Sequence, residues 1–376
     1  MTGPEDQAYE RFSEGLYRMK KKGRIYVCHT FYHLYISFLK EFALPAEEKG
    51  NATVVLSKMS NVFGDIAGRI SESGYFKEVY EYDEKRETEF PELAGLKKDR
   101  GNIILNMIPR IIFTSKFAKL QAKYVPVDFR EYDDVYVFCD NDPIGIYLAK
   151  NRIYYHAVED GLNELASYVN ALYDNRGFFW FKKFLSMKLN LIFIRDGYNK
   201  YCLDMEVNDL SLIRDPFYKF KEVSRKKLAE NVSEDQKKVL VRVFVKDIDK
   251  ILDGIKELGR DSNILILTEP LCELDVRERI FRDLIDEYSK EGKVFLKIHP
   301  RDDLDYDTLF KDVVRFDKKV PMEVMNYFSD LHFKKVVSVF TELDNIEFAD
   351  EKVRLGGDFM DKYEAHEIHS QEEQIR

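Results

Sequence analysis

Four short segments combine side chains that can move protons or hold a phosphate, and each follows an apolar run that reads as a β-strand. Glu159-Asp160-Gly161 closes the run RIYYHAV. Of two adjacent carboxylates at a strand end, a turn through glycine can aim one outward as the general base for a hydroxyl. The competing reading is an acidic pair at a helix start, favourable at the positive end of the helix dipole. Lys297-Ile298-His299-Pro300-Arg301 closes KVFLK. A histidine there can protonate a leaving phosphate oxygen, with Lys297 and Arg301 as cationic neighbours; the plainer reading is a loop histidine satisfied by backbone groups. Thr268–Asp275 (TEPLCELD) follows SNILIL and leads into a helix, so Glu273 and Asp275 either cap that helix or face a substrate. Ser338-Val339-Phe340-Thr341 ends the last strand. Hydroxyls and free amides at a helix start make a phosphate site, against ordinary capping by Thr341.

Other chemistries lack their signatures. The sequence contains no G-x-x-x-x-G-K-[ST], no G-x-G-x-x-G after a strand, no G-x-S-x-G and no H-E-x-x-H. Asp140-Asn141-Asp142 has the D-x-D form of a metal site, but Pro143 follows at once and the segment reads as a strand-to-helix turn. A metal-independent reaction is expected.

The elements that position these residues repeat. Arg24–Cys28, Ala52–Ser57, Asp133–Asp140 and Arg152–Asp160 read as strands, most of them followed by a helical pattern. Their apolar runs are continuous rather than alternating, as in parallel strands covered on both faces. The pattern weakens between Tyr201 and Asn231, which reads as a linker. A second series follows: Lys238–Val245, Ser262–Thr268, Lys293–Pro300 and Lys334–Phe340 as strands, with Val276–Lys290 as an amphipathic helix. The expected fold class is therefore α/β, with two Rossmann-like doubly wound domains facing a central cleft, the GT-B architecture.

Composition narrows the partners. A net charge of −9 weighs against a nucleic-acid binder, whose surface is broadly basic. Cys28, Cys139, Cys202 and Cys272 are far apart and form no C-x-x-C pair, which reads as buried thiols in a reducing compartment. The start of the chain is polar, without a signal peptide's apolar stretch, and no run of about 18 apolar residues exists, so a cytoplasmic protein is expected. Arg18–Arg24, Pro109–Lys123 and Phe178–Lys188 mix cations with large apolar residues. They read either as a peripheral contact with an anionic inner membrane face or as faces turned to the core or a dimer partner.

Taken in order, the acidic-acidic-Gly, His-Pro and late Ser/Thr motifs resemble those of bacterial sialyltransferases. VCHTFYHLYIS, TEPL and KIHPR are most similar to glycosyltransferase family 52, the lipooligosaccharide sialyltransferase family, over roughly Ile25 to Phe348. The resemblance implies an inverting, metal-independent transfer from CMP-sialic acid, with no cofactor, to a terminal galactose-type sugar of a lipooligosaccharide or capsule. It implies His299 as general acid or phosphate partner and Ser338 or Thr341 on the donor phosphate; Thr268, Lys297, Pro300 and Arg301, from the same strand-end loops, complete the expected donor set. It leaves the base open between Asp160 or Glu159 and Asp275 or Glu273. It implies a homodimer. The pattern along the chain divides it into 1–23 (extension), 24–230 (acceptor side), 231–356 (nucleotide-sugar binding) and 357–376 (polar tail). The sequence reads Ser-Val-Phe-Thr where a serine pair would complete the last motif, which leaves the donor sugar open. The alternatives are transfer of another nucleotide-activated sugar or a polyol phosphate, and a non-catalytic binding protein of the same architecture.

Overall fold

A computed structural model describes residues 22–138, 140–167, 169–246, 262–328 and 331–366. The chain divides into two units, Met1–Val232 and Ser233–Arg376. Of the segment Arg18–Arg24, residues 18–21 lie outside the described residues, as does Cys139.

The first unit is built on seven strands: β1 (Lys22–Cys28), β2 (Ala52–Ser57), β3 (Phe76–Tyr82), β4 (Tyr132–Phe138), β5 (Tyr155–Val158), β6 (Cys202–Val207) and β7 (Phe220–Glu222). They are parallel and ordered β3-β2-β1-β4-β5-β6-β7. Every residue of β2 is buried, as are Ile25 to Cys28 of β1, which explains the unbroken apolar runs. The helices that matter below are α1 (Phe31–Phe42), α2 (Ile66–Glu72), α3 (Ile103–Gln121), α4 (Pro143–Lys150), α5 (Glu164–Ser167), α6 (Asn170–Asp174), α7 (Phe179–Met187) and α8 (Arg225–Glu230). Thr30 starts α1 by accepting the His33 amide hydrogen at 3.1 Å. Strand order reverses between β1 and β4, so their carboxyl-end loops flank the crevice where such sheets take ligands.

The second unit has five parallel strands, β8 (Asn263–Leu267), β9 (Lys293–Lys297), β10 (Val314–Phe316), β11 (Phe333–Ser338) and β12 (Ala349–Arg354), ordered β10-β9-β8-β11-β12. Its switch point lies between β8 and β11. Helices α9 (Glu234–Phe244), α10 (Leu274–Tyr288) and α11 (Gly356–Met360) belong to this unit. The two Rossmann-like sheets establish the expected α/β class.

Three segments differ from their sequence reading. Lys238–Val245 is not a strand but part of α9. Ser233 and Gln236 form a capping box, and Gln236, Leu240, Val243 and Phe244 lie on one buried helical face. The segment from Tyr201 to Asn231 is not a linker: it supplies β6, β7 and α8, with Met205 and Phe220 in the core. The polar stretch from 357 onward begins as α11, whose Phe359 and Met360 are buried against the second core.

Helix α4 packs directly on the loop that enters it. A Cβ on Gly145 would lie 1.8 Å from the carbonyl oxygen of Asp140, a backbone atom that cannot step aside. Gly145→Ala should therefore destabilise the first unit by about 1–3 kcal/mol or more, the usual scale of overpacking. Gly161→Ala is the control, since nothing lies within 4 Å of a Cβ there. Thermal unfolding of the two variants checks this; equal losses would show that the close approach at Gly145 is not the constraint.

Candidate active site

In the first unit, ionisable side chains collect at the carboxyl ends of neighbouring strands. His29, just after β1, is 1% exposed. Its Nε2 lies 2.7 Å from Oε2 of Glu84 and 3.3 Å from Oδ2 of Asp142. Glu84 follows β3 and is also buried. Its carboxylate accepts the Ser57 hydroxyl at 2.7 Å and the Ile144 amide in the first turn of α4 at 2.7 Å. Burial opposes a charge on His29, and so does an Nδ1 without a hydrogen-bond partner. The carboxylates of Glu84, Asp142 and Asp160 outweigh both and raise its pKa to about 9, so the ring is charged at neutral pH.

His33, one turn into α1, behaves oppositely. Its Nδ1 accepts the His29 amide hydrogen at 3.1 Å, so the single proton of the neutral ring sits on Nε2. Burial lowers its pKa. Nε2 donates to Oδ1 of Asp160 at 2.5 Å, and the ring stacks on Phe138 with centroids 4.5 Å apart. Asp160 keeps 43% of its side chain exposed while this buried, neutral donor holds it.

The adjacent Glu159 does something else. It is 1% exposed, and its two oxygens accept the amides of Leu165 in α5 at 2.9 Å and Asn208 after β6 at 2.8 Å. It ties two loops together, while Asp160 projects. Gly161 has no left-handed φ, so the tight turn expected from it is not what the backbone makes. Asp140 and Asp142 do not act as a pair. Asp140 accepts the Asp196 amide at 3.0 Å and the Tyr155 hydroxyl at 3.1 Å; burial and the nearby Asp196 push its pKa up. Asp142 faces His29 instead. Among the described residues no group of three or more His, Cys, Asp or Glu side chains is arranged to hold a metal ion.

In the second unit, the strand-end loops after β8, β9 and β11 are stitched together. The His299 amide donates to Oγ1 of buried Thr268 at 3.0 Å, and the His299 Nδ1 accepts the Arg301 amide at 3.1 Å. The neutral His299 ring therefore carries its proton on Nε2. Arg277 donates to the carbonyls of Leu271 and Cys272 and forms a 2.8 Å ion pair with Asp302, which locks the TEPLC loop to the loop after His299. Pro300 and Arg301 are exposed.

Two donor-side expectations change here. Lys297 is buried, and its ammonium is directed to the carbonyls of Ile298 at 2.9 Å and Asp317 at 3.2 Å. Burial lowers its pKa to about 8, and it makes a strut rather than a surface cation. No helix begins at Thr341, and the amides there are not free. The buried Glu269 takes them: Oε1 accepts from Val339 at 2.9 Å, Phe340 at 3.0 Å and Thr341 at 3.1 Å. The Ser338 hydroxyl donates to the Thr341 carbonyl at 2.7 Å. Glu273 occupies the N-cap position of α10 without a side-chain cap bond, and Asp275 lies in the first turn; both are exposed.

Sequence reasoning passed over His29, His33, Glu84 and Glu269. The available signals were His29 and His33 spaced by four across a strand-to-helix turn, and the first carboxylate of the TEPL segment.

Apolar side chains stand on part of the surface of the first unit. Ile104, Leu105, Ile108 and Ile112 of α3 and Trp180 and Phe184 of α7 are exposed. No helix among the described residues is long and apolar enough to cross a membrane.

Comparison with known proteins adds the following. A family model, glycosyltransferase family 52, matches residues 102–343. An uncharacterized protein of Haemophilus influenzae is 29% identical over 114 residues, which is 29% of this chain and 35% of that protein, so the match spans about a third of the curated relative's length. Among solved structures, the chain is similar to an α/β-galactoside α-2,3-sialyltransferase of Photobacterium phosphoreum (TM-score 0.47, 14% identity, 89% of this chain and 90% of that one). It is also similar to a 2,6-sialyltransferase of Photobacterium sp. JT-ISH-224 in a ternary complex with CMP and lactose (TM-score 0.49, 13% identity, 88% and 71% covered).

The His29 pair makes stability depend on pH. Its pKa is about 9 in the fold and about 6.5 in an unfolded chain. Its contribution is therefore complete below pH ~6.5 and is lost as pH rises through about 9. A gap of that size corresponds to about 3 kcal/mol. The stability difference between the wild type and His29→Gln, from urea unfolding, should shrink by that order between pH 6 and pH 9.5. A difference that does not change with pH would show that His29 is not charged in the fold.

Proposed function

The chain belongs to glycosyltransferase family 52, and from that premise we propose that it is an inverting, metal-independent sialyltransferase, taking sialic acid from CMP-sialic acid to a terminal galactose-type sugar of a surface glycan. The observation that carries the reading is the partly exposed Asp160, held by a buried histidine that is itself neutral. A charged partner would form an ion pair with the carboxylate and weaken it as a base. The neutral donor in contact fixes its direction, while the charged His29 acts on it more weakly than on Glu84 and Asp142.

In this mechanism Asp160 takes the proton of the acceptor hydroxyl as the hydroxyl oxygen bonds to the anomeric carbon of sialic acid. The bond from that carbon to the CMP phosphate breaks on the opposite face, which inverts the centre. His299 donates its Nε2 hydrogen to the departing phosphate. Its ring is held by the Arg301 amide on Nδ1, and its backbone by Thr268. The Ser338–Thr341 loop, with its amides bound to Glu269 and the Ser338 hydroxyl buried, offers the Thr341 hydroxyl and shape to the donor rather than bare amides. CMP is a phosphate monoester and already a fair leaving group, so one histidine suffices as its acid.

The test is CMP release from CMP-sialic acid with a galactoside acceptor, in excess EDTA. Activity should persist there and fall by roughly 10²–10⁴-fold in Asp160→Asn and in His299→Ala, the range for a general base or acid. Glu159→Gln should lose stability before chemistry, because its oxygens bind two buried amides. Release only from UDP-sugars would replace the donor, and release from no donor would make the chain a binding protein. Full activity in Asp160→Asn would remove the proposed base.

A further inference from the structure

The first unit contains a cavity of about 540 Å³ between α3 and the segment that runs through α6, α7 and Phe193–Arg195. One wall is apolar, with Met107, Phe113, Ile146 and Phe193; the rest is polar and carries five cations, Lys97, Lys98, Arg110, Lys182 and Arg195. Two of those cations already have partners: Lys97 pairs with Glu87, and Arg195 with Asp196 and Glu164.

The other cations of interest lie deeper. Arg110 donates to Oδ1 of Asn175 at 2.7 Å and to the carbonyl of Phe193 at 3.2 Å. Lys182, only 9% exposed, donates to the carbonyls of Asn175 at 3.3 Å and Arg176 at 3.2 Å. Both charges converge on one neutral residue, and among the described residues neither has a carboxylate within ion-pair distance. Burial lowers the pKa of each; Asp174 partly offsets this at Arg110, while Arg110 lowers that of Lys182 further. Of the two acids lining the cavity, Asp99 accepts from the Gly101 amide and the Asn106 side chain, and Asp174 is exposed. A fold that needed only hydrogen-bond donors to Asn175 would be served by neutral side chains. Two like charges side by side, with Asp174 acting on Arg110 from beyond ion-pair distance, leave an excess of positive charge that an anion would complete.

We propose that this cavity binds a phosphate-class oxyanion carried on a sugar-sized group, with Arg110 and Lys182 gripping the anion and the wall of Met107, Phe113 and Phe193 covering the sugar. The volume lies within the range of small-molecule sites. Guanidinium and ammonium together supply a planar fork and a point charge, a pairing suited to phosphate. Asn141, which also lines the cavity, directly precedes Asp142 at the carboxyl end of β4. The anion therefore sits beside the loop that contributes to the candidate active site. That position suits a phosphate substituent on the acceptor, an assignment resting on the transferase reading; the anion site itself does not depend on it.

The experiment measures inorganic phosphate binding to the full chain by calorimetry, with potassium chloride holding ionic strength constant. Saturable binding is expected in the wild type, weakened at least tenfold in both Arg110→Gln and Lys182→Met. Absent or non-saturable binding, or affinity unchanged in both variants, overturns the proposal. Should Arg110→Gln fail to fold, Lys182→Met decides, since its side chain keeps the apolar stem and loses only the ammonium. The source of the phosphate is then read from transfer to a lactoside and to the same lactoside bearing a phosphate. If the acceptor brings the phosphate, the phosphorylated lactoside has the lower KM, and Lys182→Met abolishes that advantage while kcat for the neutral lactoside is unchanged. If a free anion occupies the site, added phosphate alters transfer to the neutral lactoside in the wild type and not in Lys182→Met. Absence of transfer with either acceptor would count against the transferase reading and leave the binding result standing.

Discussion

The hydrogen bond from the His29 amide to Nδ1 of His33 fixes which ring nitrogen of His33 carries a proton, and with it how Asp160 is held. A ring nitrogen that accepts a backbone hydrogen cannot also hold a proton, so His33 stays neutral and presents Nε2–H to Asp160. Four residues earlier in the chain, His29 faces Glu84 and Asp142 and is charged. The two rings are 6.1 Å apart, and a second positive charge at His33 would be opposed by the first. One turn of backbone at the end of β1 thus separates two histidines into a cation that holds loops and a neutral donor that aims a carboxylate.

The second unit solves a similar problem with a carboxylate. Parallel strands end in loops whose amides have no ladder partners, and burying them unpaired would be costly. Glu269 extends from the loop after β8 across the switch point and collects three consecutive amides after β11. The same amides would otherwise be a ready anion site. With those amides occupied, the groups left near these loops are side chains, among them His299, Thr341 and the exposed Arg301.

The fold was legible where burial is continuous. β2, buried at every position, reads unmistakably as a covered parallel strand. β3 did not: FKEVYEY buries only Phe76 and Tyr82, and its charges resemble a surface segment. Lys238–Val245 misled because its Val and Leu residues fit a strand and a helix alike; the capping box at Ser233 and Gln236 was the deciding local signal. At the candidate site, the motifs pointed to strand-end loops but could not say which atoms project from them. Which of Glu159 and Asp160 projects depends on the amides of Leu165 and Asn208, and His33 meets Asp160 across 127 positions of sequence. Glu269 meets its amides across 70 or more. Such pairings are set by strand order, which no local spacing records.

The buried and projecting ionisable groups also sort by what completes them. Glu84, Glu159 and Glu269 each accept at least two protein donors that have no other evident partner, so removing any one strands amides or hydroxyls inside the fold. Asp160 differs in keeping a large fraction of its surface open while the neutral His33 ring donates to it. Arg110 and Lys182 form a third case, in which the protein supplies hydrogen-bond acceptors and, among the described residues, no carboxylate in ion-pair contact. A carboxylate surrounded by donors is structural, and one that keeps much of its side chain open has room to meet a substrate. Cations satisfied in hydrogen bonds but not in charge mark where the molecule still has an anion to meet.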